Sequence, residues 1–532
     1  MGYKSHKRVA EETSSFVVPM RLKTSTRNDR ALEVSFDAGR MLYNACLAES
    51  LRRLALMRES KGYRTCLKMP KRKDRTVGFS RIRKQYGFSE YALHRFAVVT
   101  KNACHIGDHL DTHTCQKIAT RGYLAVNKYG LGKSGRPRFK GEGQFDSLES
   151  KCNAAGIRYR DGFLMWRGME VQCVIDPCDE VVAHGLSRRV KYCRIVRRRV
   201  NGRLRYYAQL VVEGHPCQKP KNKPGPEVVG VDIGPSTIAY VGETKAGLKQ
   251  FCGELEPLGR QMRLLQQAMD RSRRATNPGN YNDDGTIKKG RRKWTYSDAY
   301  LRLRDEVMEL QRRRAEYRRS LHGELANELL RVGNQLRIEK NSYKSFQRNY
   351  GKSVGTRAPG TFVRMLIRKA ESAGGEVWDM AAGDLKLSQR CACGKIKKKR
   401  LSERWHSCDC GIVAQRDLFS AFLARCTERE DEKYVLDTSR ASKLWGEAEP
   451  LIRQAVSRIL DQSANGGLSL PVSFGLSSAA LRQSGSSVKL MLRSETGERT
   501  AIKVGDAVAA CSYGCGESPE EVAVAMSGTP CL

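Results

Sequence analysis

Seven side chains in this sequence have the type and placement to do chemistry. Three are carboxylates: Asp232 ends the apolar run VVGVD, Glu339 ends QLRIE, and Asp417 stands in the first turn of QRDLFSAFLARC. Four are thiols: Cys391 and Cys393 in CACG, then Cys408 and Cys410 in CDCG, 17 residues further on. A buried carboxylate is costly unless it is paired or coordinated. Three together repel one another and stay ionised only with cations among them. Oxygen donors without imidazole or thiolate favour Mg²⁺ or Mn²⁺. Two such ions can activate a water and stabilise the leaving oxygen of a phosphodiester. Two short Cys hairpins ending in Gly resemble a four-Cys zinc ribbon. Both are Cys-x-Cys-Gly, one residue shorter than the usual knuckle, and His406 is available as a substitute ligand.

The elements that must position these groups follow from periodicity and punctuation. Val228–Asp232 reads as a strand, followed after turns by TIAYVG and LKQFCG. A helix follows at 258–269, then a polar basic loop and a long helix at 297–331. NQLRIEK is a strand, 360–373 a helix, GEVWDM a strand and 415–426 a helix. Strand-Asp, two strands, helices, strand-Glu, helix, strand, helix-Asp is the order of an RNase H-like fold, which brings the three carboxylates to one side of its sheet. Taken singly, a strand-end Asp is an ordinary turn cap and Asp417 an ordinary helix-start residue.

Upstream, FVVPMRLKT reads as a strand and 28–59 as a helix, with further helical segments to about residue 129. His105, His109 and His113 are spaced to line one helix face, a metal site or simply a polar surface. Residues 135–213 are β-rich, with two strands flanking Asn201-Gly202, the strongest short hairpin signal. Arg197, Arg198 and Arg199 beside Tyr206 and Tyr207 combine charge and stacking as a nucleic-acid surface does; the alternative is a charge-guarded edge. The Pro/Lys stretch 216–227 is a linker.

The chain has 532 residues, with 96 Lys and Arg against 57 Asp and Glu, a net charge of +39. Residues 427–532 hold 11 basic and 14 acidic residues, so residues 1–426 carry +42. Polyanions are the natural partners of such a surface. No apolar run is long enough to span a bilayer and the N-terminus lacks a signal-peptide core, so the expectation is a soluble cytoplasmic protein without membrane contact. Most of the 18 cysteines are then reduced thiols that simply pack. The Gly-Lys-Ser tripeptides at 132–134 and 351–353 lack the upstream Gly of a phosphate-binding loop, so no ATPase is expected.

From about residue 28 to 426 the chain resembles the TnpB family of transposon-encoded RNA-guided nucleases and the compact type V CRISPR effectors. The resemblance rests on EYALHRFA, RPRFK, GVDIGPSTIA, NPGNYNDDG, RIEKNSYKSFQ, the KLSQRCACG…CDCG ribbon and QRDLFSAFLA. It implies a mixed α+β multidomain protein. A RuvC nuclease domain at 226–384 would carry a helical insertion at 255–332, a zinc ribbon that contacts target nucleic acid at 385–413, and a last helix at 414–426. A β-barrel-like wedge domain would comprise 1–27 and 135–225, with a helical recognition domain at 28–134. Asp232, Glu339 and Asp417 match the family's catalytic, metal-binding acids, and Cys391, Cys393, Cys408 and Cys410 its zinc ligands. The implied partners are a guide RNA, CRISPR or transposon-derived, and target double-stranded DNA. Sequence readout is then delegated to base pairing, and the chain is expected as a monomer in a prokaryotic cell. Phe419 stands where many transposon members carry Asn, which leans the chain toward the CRISPR branch. Residues 427–532 match no known pattern and are expected to be a largely disordered extension with a helix at 441–461. The competing readings are a guide-directed DNA binder with little cleavage and an RNase H-like DNA transposase.

Overall fold

The computed structural model describes residues 14–466 and 470–476, apart from Glu256, Leu401 and Glu432. The disorder expected near the chain's end falls outside these residues. The chain is a mixed α+β protein with two large sheets.

The first sheet is entirely antiparallel. It is built from β1 (Ser15–Lys23), β2 (Ser147–Glu149), β3 (Arg158–Arg160), β4 (Phe163–Trp166), β5 (Met169–Val174), β6 (Val190–Val200) and β7 (Arg203–Glu213), in the order β2-β6-β7-β1-β5-β4-β3. The expected hairpin is present: Val200 pairs with Arg203, and Asn201 and Gly202 both take positive φ, the two-residue turn that Asn-Gly favours. Asn153 ties the terminal strand β3 back toward β6. Its amide brackets the backbone of Tyr159, and its own N–H donates to the Lys191 carbonyl at 3.0 Å.

Between β1 and β2 run α1 (Thr26–Glu59), α2 (Lys61–Lys68), α3 (Lys73–Gln85), α4 (Glu90–Ala103) and α5 (Thr112–Gly130); α6 (Glu180–Leu186) lies between β5 and β6. Ser25, Ser89 and Asp111 cap α1, α4 and α5 by accepting backbone N–H groups. These helices and the sheet share one core, in which Phe36, Leu42 and Leu47 meet Tyr206 and Leu210.

Two expectations change here. His105, His109 and His113 do not lie on one helix. His105 is in a single 3-10 turn (His105–Asp108), His109 ends that turn and His113 opens α5, because the Asp111 cap starts a new helix. The Arg/Tyr hairpin also presents only one of its faces. Tyr206 is buried with its hydroxyl donating to Glu33 at 2.6 Å, and Arg197 pairs with Glu33 at 2.7 Å. The period of two sends these inward and leaves Arg198, stacked over Tyr207, outside. Arg199, at the tip, pairs with Asp305.

The second sheet comprises β8 (Val228–Ile233), β9 (Thr237–Val241), β10 (Ala246–Gln250), β11 (Gln335–Lys340) and β12 (Glu376–Ala381), in the order β10-β9-β8-β11-β12. β8, β11 and β12 run parallel; β9 and β10 are antiparallel additions. α7 (Gly259–Thr276) and α8 (Asp298–Val332) leave the sheet after β10, and α9 (Tyr343–Arg357), α10 (Pro359–Ser372) and α11 (Ala382–Leu385) surround β12. A small hairpin of β13 (Trp405–Ser407) and β14 (Val413–Gln415) leads into α12 (Arg416–Arg425). Then come β15 (Thr427–Glu430), β16 (Lys433–Leu436) and α13 (Thr438–Gly466).

Alternation along the strands assigns the two faces. Val229, Val231, Ile338 and Leu336 pack with Leu329, Phe362 and Leu366 of α8 and α10. Ala239, Val241 and Met380 pack with Leu418, Phe422, Ile452 and Val456 of α12 and α13. The helix expected at 441–461 is therefore longer, and it forms part of the second core.

Candidate metal centres

Register places the first two carboxylates. Val231 of β8 lies opposite Ile338 of the parallel strand β11, so Asp232 and Glu339 follow side by side at the two C-terminal ends. Val231 and Ile338 face α8 and α10, so Asp232 and Glu339 face α12. α12 supplies the third. Its first turn carries Asp417, almost fully buried, and the Gln415 side chain caps it by accepting the Leu418 N–H at 2.8 Å. At its other end the buried Arg337 guanidinium donates to the carbonyls of Arg425 and Thr427 and lies over the Trp378 ring. A cation suits a helix C-terminus. The helix is thus fixed at both ends across the strands that hold Asp232 and Glu339.

The electrostatics are those of anions forced together. Burial pushes the Asp232 carboxyl well above the ordinary range, and the neighbouring charges of Asp417 and Glu339 push it further. The guanidiniums of Arg416 and Arg404 oppose that shift. Burial also raises Glu339, against a hydrogen bond of 3.2 Å from the Leu387 N–H. Asp417 accepts from Thr237 Oγ1 at 3.3 Å and from Arg416 Nη2 at 3.1 Å, with Arg404 at 3.9 Å. This donor set is all oxygen and short of positive charge around Asp232, which fits a divalent hard cation. Sequence reasoning missed Thr237, Arg404 and Arg416; Arg416 adjoins Asp417, but the other two reach it only through the fold.

The four cysteines converge more tightly. Their sulfurs all lie within 4.8 Å of one another, with Cys391–Cys410 at 3.5 Å and Cys393–Cys408 at 3.7 Å. A tetrahedron with Zn–S bonds of ~2.3 Å has edges of about 3.8 Å. The two knuckles are built alike. Gly394 and Gly411, both at positive φ, donate to the carbonyls of Cys391 and Cys408, which in turn donate to Lys395 and Ile412. Burial raises the Cys391 and Cys410 thiols. Burial also opposes ionisation of Cys408, but the Cys410 N–H and the neighbouring thiols outweigh it and bring Cys408 down to about 7. The shortened knuckles therefore still present a four-thiol cage that fits zinc. His406 is not part of it. Its ring stacks on Phe419 at 4.2 Å, its Nδ1 meets the Lys399 ammonium, and burial lowers it to about 3.

No family model matches the sequence, and no curated protein matches it. Solved structures similar to the chain include a cryo-EM structure of the Cas12f1-sgRNA-target DNA complex, at 11% identity and a TM-score of 0.39, covering 78% of this chain and 98% of that one. Another is a cryo-EM structure of a CRISPR-Cas12f ternary complex, at 12% identity and a TM-score of 0.24, covering 75% of this chain and 85% of that one. Both scores are low, so the functional conclusion stands on the geometry above. Among the described residues no helix is long and apolar enough to cross a membrane.

Proposed function

We propose that this chain is a divalent-metal nuclease of the RNase H-like, RuvC kind. Within that class we read it as an RNA-guided DNA endonuclease of the compact type V CRISPR effector/TnpB type. The observation that carries the reading is the register that sets Asp232 beside Glu339 on parallel strands, under a helix that begins with Asp417. Divalent ions held there would supply an activated water and stabilise a leaving phosphodiester oxygen. Asp232 and Glu339 hold the ligand oxygens at the strand ends, Thr237 orients Asp417, and α12 fixes its height over the sheet. The four-cysteine knob, inserted in sequence between β12 and α12, acts as a zinc ribbon beside this site. The charge of +42 on residues 1–426 supports polyanionic partners, which the reading assigns as guide RNA and target double-stranded DNA. The antiparallel sheet and α1–α5 are read as the wedge and recognition parts that grip them.

One observation favours a second reading, a guided binder with weak cleavage. The guanidiniums of Arg416 and Arg404 already neutralise Asp417. The test of the guided reading is to express the chain with its native flanking DNA and sequence the RNA that copurifies. A discrete RNA from a repeat array or a transposon end is expected. No discrete RNA contradicts guidance and points to a transposase.

A further inference from the structure

The hydroxyl of Tyr343 is buried and has no hydrogen-bond partner among the described residues. Tyr343 opens α9, four residues beyond Glu339. The connection that carries it is anchored to the end of β8, where Asn341 Nδ2 donates to the carbonyl of Ile233, the residue after Asp232. The ring is held edge-on to Phe346 at 6.0 Å and against Gly360, where a Cβ would lie 3.2 Å from Cδ2. Burial raises the phenol's pKa, and the charges of Asp379 and then Asp232 raise it further. The group therefore stays protonated at neutral pH and lies within the field of the carboxylate site.

A buried donor without a partner costs stability. Phenylalanine would fill the same volume without that cost, so the hydroxyl is retained at a disadvantage in the ion-free fold. We infer that Tyr343 is a positioning residue of the carboxylate site, its hydroxyl donating a hydrogen bond into the ligand shell of the divalent ion that Asp232, Glu339 and Asp417 hold. The inference rests on the metal-site reading above. Partners of this kind, one step out from the ligands, typically change metal affinity by about 10–100-fold. The competing role is structural: a tie to Asp379, which sits 3.9 Å from Lys340 on the sheet edge.

The experiment compares wild type, Tyr343→Phe and Asp232→Ala in the full zinc-loaded chain. Free Mn²⁺ is followed by its electron paramagnetic resonance signal, and unfolding midpoints are measured in EDTA. Tyr343→Phe is expected to weaken Mn²⁺ binding roughly tenfold while its midpoint in EDTA is unchanged or higher; Asp232→Ala loses the site. Wild-type Mn²⁺ affinity in Tyr343→Phe, with the site lost in Asp232→Ala, overturns the inference alone. A lowered midpoint in EDTA also overturns it, assigning Tyr343 to the Asp379 tie. Undiminished Mn²⁺ binding in Asp232→Ala overturns the metal-site reading and this inference with it.

Discussion

Gly230 and Ala421 meet backbone to backbone: a Cβ on Gly230 would lie 1.9 Å from the Ala421 carbonyl oxygen and 2.5 Å from the Arg425 nitrogen. This contact sets the carboxylate geometry. Asp232 is two residues along β8 from Gly230, ~6.7 Å on the same face. Asp417 is one turn back along α12 from Ala421, about 5.4–6 Å. The two acids approach because strand and helix are locked at the glycine.

Gly230→Ala is therefore expected to be severe. The added methyl meets backbone, which cannot rotate away, so the cost is at the upper end for overpacking, about 3 kcal/mol or more. A urea titration measures it. A loss under about 0.5 kcal/mol, the range of ordinary surface changes, would mean that α12 is not seated on β8 as described.

Much of this site was legible beforehand because apolar runs ending in an acid are a local signal. VVGVD and QLRIE became β8 and β11, and Asp417 lies in the first turn of its helix. Gly230 was visible too, and a glycine inside a strand marks a close backbone approach, but its partner is about 190 residues away and no local pattern names it. α9 gave no periodic signal: it buries only Val354, carries Gly351 and Gly355, and kinks at Tyr350. α13 was expected to be shorter and part of an extension, because the tail's Ser/Gly/Ala composition masks a helix whose apolar side is completed by α12. The three histidines show the reverse error, a helical spacing interrupted by a cap.

The four-thiol cage predicts one zinc per chain by metal analysis of the purified protein. Cys391→Ser or Cys410→Ser should abolish it and lower the thermal midpoint, since structural zinc contributes directly to folding. Full-length protein with no zinc and all four thiols freely titratable would contradict this assignment.

His322 gives the fold an acid-sensitive point away from both metal centres. Its ring stacks on Phe251 at 5.4 Å and its Nε2 bonds the Arg357 carbonyl at 2.9 Å. Burial lowers its pKa, only partly offset by that carbonyl. The folded value lies below the unfolded one of ~6.5, so the unfolded chain takes up the proton first. Stability from this group is present above about pH 6.5 and is lost as pH falls below it. In urea titrations between about pH 7 and 5, His322→Phe should show a shallower decline than wild type, although the orphaned carbonyl lowers its stability by about 1 kcal/mol overall. Equal slopes would show that His322 does not titrate with folding.

The central claim is that Asp232, Glu339 and Asp417 act as one site. The direct measurement is the Mg²⁺-dependent cleavage rate of a guide-matched plasmid by the RNA-loaded protein, for the three single alanine variants and for Asp232→Ala combined with Asp417→Ala. Residues that act as a unit are non-additive. The account predicts that each single change lowers the rate roughly a thousandfold or more and that the double variant is no slower than the singles. Near-wild-type cleavage in any single variant, or losses that multiply in the double, would contradict it.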